Sequence, residues 1–191
     1  MDGEAPTQWV VLVARVPPQS SQHRDAVLRE LRDVGALSLD EDIWAVPDTP
    51  VFADGIQRAL GITDLAEGEA AMWRVGGHER ADSARFRIMF TAARESDWAE
   101  FIAECDRFAS ELDRLARKAR FRPADLEERT RRLDVLRSRH HDLQTRDAFG
   151  ASAAGQAARQ VTRCVRRLEE CRSQAVAYLR ASNADAEGGR A

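Results

Sequence analysis

Hydrophobic and polar residues alternate along the first fifty positions in two different rhythms. The run from Trp9 to Val16 is apolar and β-branched, and Pro17-Pro18 closes it by removing two backbone donors, which is typical of a central strand. An apolar stripe at helical spacing follows, and Gly35 ends it. Two short apolar runs, at 36–39 and 43–46, flank an acidic turn. This pattern predicts a strand, a helix and a hairpin.

The next segment completes a small α/β unit. Residues 51–62 predict a short helix that ends near Gly61, and residues 71–75 have the composition of a fourth strand. The order βαββαβ is that of the ferredoxin-like split unit. The sequence therefore predicts a ferredoxin-like domain over residues 9–80, after a disordered N-terminus at 1–8.

From Asp82 onward the apolar period is helical. The segment 83–92 is compatible with a helix or with a strand, and the stripe after it has the heptad spacing of a long packed helix that reaches about Arg120. Pro123 stands where the first residue of a second helix belongs, and Ser152 is a cap for a third. The prediction is a helical region at 81–180 and a disordered tail at 181–191.

The second and third helices of this region are similar in length and joined by a short turn. They predict an antiparallel helical hairpin, which either folds back on the preceding long helix or forms a homodimer. The predicted fold class is α+β, with a ferredoxin-like βαββαβ domain followed by long helices that include this hairpin.

Composition places the chain among globular proteins. Of its 191 residues 43% are hydrophobic and 32% charged, and its net charge is -3. No apolar run is long enough to span a bilayer, and the N-terminus lacks the order of a signal peptide, so we expect a cytoplasmic protein with no membrane partner. The cysteines Cys105, Cys164 and Cys171 match core positions, which favours buried thiols over disulfides.

The sequence offers little for catalysis. It has no Gly-rich phosphate loop, no Cys-x-x-Cys and no nucleophile elbow. His140 and His141 are adjacent, so on one helix they point about 100° apart and cannot share a metal without other ligands. We therefore predict that the protein is not an enzyme and has no catalytic residue, metal site or cofactor.

Positive charge is concentrated at the break between the first and second long helices. The cluster consists of Arg114, Arg117, Lys118, Arg120 and Arg122, five cations within nine positions and no carboxylate among them. Such a group suits a phosphate backbone, while the alternative is a surface of ordinary ion pairs.

Three further arginines lie on or beside the first strand and helix. Arg15, Arg24 and Arg29 are weaker candidates for contacts that position the protein on DNA, and plain solvation is the alternative for each.

Several segments, taken in order, resemble a known family. They are Trp9–Pro17, Ser20–Arg24, Leu31–Leu37, Ile43–Asp48, Phe90–Phe101 and Arg146–Gly150. In them the chain looks like the N-terminal domain of ChrB, the chromate-resistance regulator. The resemblance implies a chromate-responsive transcriptional regulator that binds double-stranded DNA upstream of a chromate transport operon.

The family resemblance also sets an expectation about a partner. Full ChrB proteins carry a further C-terminal domain, whereas this sequence stops at Ala191. We expect the effector response to be missing, or to be held by a separate chain with the ChrB C-terminal domain.

Two alternative functions follow from the same features. The first is a helical interaction module that binds a partner chain and no DNA. The order of elements is also similar to that of the middle domain of PaaX-type repressors and of CRISPR-associated spacer-acquisition nucleases, and the second alternative is therefore a nuclease of the latter kind. Those nucleases place an acidic residue at the end of the first strand, where this chain has Ala14-Arg15-Val16, which argues against metal-dependent cleavage.

Overall fold

The computed structural model describes residues 8–76, 80–118 and 122–188, with the backbone alone at 80, 81, 118, 179 and 181–188. In chain order its elements are β1 (Trp9–Arg15), α1 (Ser21–Val34), β2 (Leu37–Ser38), β3 (Ile43–Pro47), α2 (Pro50–Leu65), β4 (Glu69–Val75), α3 (Arg80–Lys118), α4 (Pro123–Arg146) and α5 (Ala154–Gly188). The chain divides into two compact units. The first comprises the residues up to Arg94 together with Thr145–Ala151, and the second comprises Glu95–Gln144 and the residues from Ser152 onward.

The first unit contains the whole sheet. Its strands are antiparallel in the order β2-β3-β1-β4, and Leu12 at the centre of β1 lies opposite Trp44 on β3 and Met72 on β4. Two strands that are consecutive in sequence, β1 and β2, are separated by β3, as a βαββαβ unit requires. The predicted α+β class with a ferredoxin-like domain is confirmed.

The core between the sheet and helices α1 and α2 is built from large apolar side chains. Leu12, Leu31 and Phe52 are each 1% exposed or less. A methyl group added at Gly55 of α2 would come within 2.6 Å of Val34 at the end of α1, so the glycine permits a close approach of these two helices. Burial of this kind is the main force that holds the unit together.

A second group of rings in this unit surrounds Trp9. Its ring centroid lies 5.4 Å from that of Phe86 and 5.8 Å from those of Phe90 and Phe149. Because Trp9 and Leu12 differ by an odd number of positions, they point to opposite faces of the sheet. The first turns of α3 and the segment 145–151 therefore pack around the Trp9 end of the sheet, where Phe90 also lies 5.9 Å from Phe52 of α2.

The second unit is a bundle of three helices. The Sγ of Cys164 contacts the carbonyl of Cys105 and the Sγ of Cys171 that of Leu112, so residues of α5 face residues 59 positions earlier on α3 and the two helices are parallel. Helix α4 runs antiparallel to both of them. Its inner side chains are Leu133, Leu136 and Leu143, all buried. In this unit the hairpin of α4 and α5 packs with α3, one of the two arrangements predicted for it.

Some boundaries differ from the sequence prediction. The segment 83–92 is helical, since α3 begins at Arg80. Helix α2 runs through Gly61 to Leu65, because the buried stripe of Ile56 and Ala59 continues to Thr63, and no heavy atom of the described residues lies within 4 Å of a Cβ added at Gly61. Where the sequence predicts a disordered tail from residue 181, the backbone of α5 continues to Gly188. Residues 1–7 and 189–191 lie outside the described residues, and the predicted domain ranges stay predictions.

Candidate nucleic-acid interface

Arginines on α4 and α5 bind carboxylates on α3. The pairs to α4 are Arg139 with Glu100 and Glu104, and Arg129 and Arg132 with Glu111, while the pairs to α5 are Arg163 with Asp106 and Arg167 with Asp113. The acidic residues thus occupy the two flanks of α3, one flank toward each neighbouring helix. Each flank carries negative charge that is matched by arginine from a neighbouring helix.

The outer face of α3 differs from its flanks. At 100° per residue, positions 103, 107, 110, 114 and 117 lie on the side away from the core stripe of Cys105, Phe108 and Leu112. All five are exposed. They hold Arg107, Arg114 and Arg117 and no carboxylate, and among the described residues none of these three arginines has an ion-pair or hydrogen-bond partner. We call these three residues the outer arginine stripe.

The stripe adjoins a cleft beside α4. Glu111, Arg114, Leu115 and Arg129 line a space of about 330 Å³. Glu111 stands three positions before Arg114 on α3, and its oxygens are engaged by Arg129 and Arg132. Two arginines of α4 therefore take up the charge that would otherwise neutralise Arg114.

The structure describes only part of the predicted cationic cluster. Arg114 and Arg117 lie on the outer face of α3. Lys118 ends that helix with its side chain outside the description, and Arg120 lies outside the described residues. Arg122 precedes α4 and pairs with Asp125, 3.4 Å away. That Arg122 contact is an ordinary surface pair, which contributes little to stability and reduces the charge available to a phosphate.

The three weaker candidates lie in the first unit and differ from one another. Arg15 pairs with Asp42 at 3.3 Å and with Glu69 at 3.1 Å. Arg24 lies 4.0 Å from the same Asp42. Arg29 is exposed on α1, and in the described part of the chain it has no such partner. The first two therefore already face a carboxylate, unlike the three arginines of the outer arginine stripe within the described residues.

Arg107 was missed by the sequence reasoning. Acidic residues lie on both sides of it in the sequence, Asp106 before it and Glu111 after it. A count along the chain therefore shows charges of both signs and no cationic cluster. The signal that could have found it is its spacing of seven from Arg114, which places the two on one face of a helix about 10 Å apart along the axis.

The segments that carry the family resemblance meet at one end of α1. Gly35 has φ = 82°, and its carbonyl accepts a hydrogen bond from the buried guanidinium of Arg94 at 2.6 Å. Arg146 donates to the carbonyls of Arg32 and Asp33. Two arginines therefore donate to carbonyls of the last turn and cap of α1, at the negative end of its dipole. These residues have a role in building the first unit.

The three cysteines of the second unit have a role in packing its helices. All three cysteines are free and buried. The hydrogen bond with Cys164, together with burial, raises the pKa of Cys105, and burial raises that of Cys171. Both thiols are therefore held in the protonated, unreactive form.

The carboxylate of Glu95 caps the start of α5. It accepts the N–H groups of Ser152 and Ala153, and the hydrogen bonds from Ser152 hold the pKa of Glu95 below its ordinary value. This cap explains why α5 starts here, since the first N–H groups of a helix have no partner within it.

Within the described ranges, no three His, Cys, Asp or Glu side chains come close enough to hold a metal ion. His140 lies against the rings of Trp98 and Phe101, at 5.5 and 5.7 Å, and apart from any ligand set. No helix of the described part is both long and apolar enough to cross a membrane. The predictions of no catalysis, no metal and no cofactor stay predictions.

Comparison with known proteins gives a consistent result. Residues 24–182 match the family model described as Protein ChrB, N-terminal. Protein ChrB of Cupriavidus metallidurans is 26% identical over 108 residues, a match that covers 56% of this chain and 32% of that protein. No solved structure matches. The family model covers most of the chain, and the chain therefore belongs to the family of ChrB N-terminal domains.

Proposed function

We propose that this chain is a ChrB-like DNA-binding transcriptional regulator linked to chromate resistance, that it works in the cytoplasm without catalysis, and that the outer arginine stripe contacts the phosphates of duplex DNA. Family membership supports the regulatory class. The observation that carries the choice of surface is that the exposed arginines of this stripe lack a partner among the described residues.

The physical argument rests on what arginine does when no carboxylate faces it. A guanidinium keeps its charge at any physiological pH and binds phosphate oxygens through two parallel hydrogen bonds. The arginines of α4 and α5 that face the flanks of α3 already donate to its carboxylates. Breaking these pairs would weaken the bundle. Those of the stripe are exposed and can bind phosphate without losing an internal contact.

Contacts of this kind position a protein on DNA without reading its sequence. Arg107 and Arg114 are about 10 Å apart along α3, and Arg117 is one turn further, so the stripe can follow a backbone. Lys118, Arg120 and Arg122 extend the positive charge along the sequence. Base discrimination must come from other groups, and the stripe should raise affinity for all duplexes alike.

The test is a salt titration of binding to one duplex, measured by fluorescence anisotropy. Replacing Arg107, Arg114 and Arg117 by Gln should lower the slope of log K against log salt by roughly 2 to 3 units, because each lost phosphate contact removes about 0.9. Affinity should fall for every duplex, and preference among duplexes should be retained.

The matched control removes the same charge elsewhere. Arg131, Arg159 and Arg180 are exposed on α4 and α5, and their replacement by Gln changes the net charge equally. This variant should change the slope by less than about one unit. Equal slope changes in the two variants would contradict the assignment to α3. Absence of wild-type binding at low salt would favour the alternative of a helical interaction module, for which a homodimer or a separate ChrB C-terminal chain is the predicted partner.

A further inference from the structure

The first unit contains a cavity that the proposed DNA surface does not use. It has a volume of about 600 Å³ and lies beside the aromatic group around Trp9. Its lining residues are Trp9, Leu39, Val75, Gly76, Asp82, Arg85, Phe86 and Met89. The volume is within the range of sites that hold drug-sized molecules, and an apolar lining with a few polar groups is typical of such sites.

Two of the three polar side chains that line this cavity, Trp9 and Arg85, are hydrogen-bond donors. Among the described residues, the indole N–H of Trp9 has no acceptor although the side chain is only 1% exposed. A buried donor without a partner costs free energy, but this nitrogen has almost no accessible surface, so Trp9 offers its ring to a ligand in the cavity.

Arg85 supplies the charge. It is exposed on the first turns of α3, it lines the cavity, and no residue in the described part of the chain pairs with it. Asp82 also lines the cavity, but it already has an interaction partner in the protein. The accessible polar side chain without a partner among the described residues is therefore the guanidinium of Arg85, which favours an anion with oxygen acceptors.

We propose that this cavity binds a small organic acid, with an apolar aromatic body against Trp9, Phe86 and Met89 and a carboxylate at Arg85. The apolar body is required by the lining, since the rings and aliphatic chains there gain free energy only by excluding water. The carboxylate is required by the guanidinium, which binds it through two hydrogen bonds.

The experiment uses the full chain and the dye 8-anilinonaphthalene-1-sulfonate, whose sulfonate stands in for the carboxylate. We expect one dye molecule per chain with enhanced fluorescence. Displacement of the dye then compares 2-naphthoate with the neutral 2-naphthylmethanol. The acid should displace it at least about tenfold more effectively, because the charged hydrogen bond is absent in the alcohol.

Two variants locate the site. A Cβ added at Gly76 meets no heavy atom of the described residues within 4 Å, so Gly76→Leu should fold and fill part of the cavity, lowering dye affinity at least about tenfold. Gly61→Leu, on α2 and equally unobstructed, is the matched control and should bind the dye as the wild type does. Arg85→Gln should abolish the preference for 2-naphthoate, whereas Arg159→Gln, at an exposed arginine of α5, should retain it.

Three results would overturn the proposal. They are undiminished dye binding by Gly76→Leu, equal displacement of the dye by the acid and the alcohol in the wild type, and retention of the acid preference in Arg85→Gln. None of these measurements involves DNA, so the outcome does not depend on the proposed regulatory function.

Discussion

The flanks of α3 and its outer face carry opposite charges, and the two are used differently. On the flanks, Glu104 and Glu111 are bound by arginines of α4, and Asp106 and Asp113 by arginines of α5. On the outer face the arginines have no carboxylate opposite them among the described residues. The same residue type therefore joins helices in one place and stays available to a phosphate in the other, and the angular position on the helix decides which.

The difference between the flanks and the outer face of α3 depends first on which side α4 turns toward α3. Leu136 is 3% exposed, whereas its neighbour Val135 is 64% exposed. Leu136→Asp should cost about 4 kcal/mol of unfolding free energy, because it buries a charge that no cation faces. Val135→Asp is the matched control and should cost about 0.5 kcal/mol or less. Urea denaturation followed by circular dichroism measures both, and equal losses would mean that α4 presents a different side to α3.

The next effect concerns a flank arginine and its immediate neighbour. Arg132 binds both carboxylate oxygens of Glu111 and lies 5.6 Å from the ring centroid of Phe108. The pair is partly exposed, so solvent screening limits the cost of Arg132→Gln to about 1 kcal/mol. Arg131 is exposed and lacks a partner among the described residues, so Arg131→Gln should change stability by less than about 0.5 kcal/mol. A larger loss at Arg131 would show that the flank pairs do not stabilise the bundle.

Much of the fold could be predicted from the sequence because it depends on local rules. β1 follows from a β-branched run closed by two prolines, and α1 ends at Gly35 because its backbone is left-handed there. The run through Gly61 could not be predicted in the same way, since the packing of Ile56 and Thr63 outweighs the weak helix propensity of one exposed glycine.

The candidate site was less predictable, because charge density along a sequence and charge density on a surface differ. The cluster from Arg114 to Arg122 is dense in sequence, yet Arg122 pairs with Asp125. Arg107 stands next to an acid in sequence, yet Asp106 faces Arg163 of α5 and leaves Arg107 on the other side. Only the partners across the bundle show which charges are already matched, and no local pattern contains that information.

A smaller effect tests whether the flank acids limit the outer face. Glu111→Gln removes the carboxylate that Arg129 and Arg132 share, next to Arg114. If one arginine becomes available to a phosphate, the slope of log K against log salt should become steeper by about 0.9. Glu169→Gln, which removes the same charge from an exposed position on α5, is the control and should leave the slope unchanged. A slope equal to that of the wild type would mean that the acids of the flanks do not influence DNA binding.

The smallest effect concerns His140, which on protonation would be a cation on the inner side of α4 with no acid opposite it among the described residues. His140 packs against Trp98 and Phe101, and its Nε2 is buried without a partner among the described residues. Burial, and then the charge of His141, lowers the pKa of His140. The unfolded chain therefore binds this proton more readily than the folded one, so its contribution to stability is complete above the ordinary value near 6.5 and declines as the pH falls below it. The urea midpoint should decrease between pH 7.5 and 5.5, and it should decrease less in His140→Gln, because the substituted side chain does not titrate.

His23→Gln removes an exposed histidine on α1 and should keep the wild-type dependence. If the urea midpoint of His140→Gln instead decreases as much as that of the wild type, protonation of His140 does not destabilise the bundle. A cation on the inner side of α4 would then need no facing carboxylate at this position.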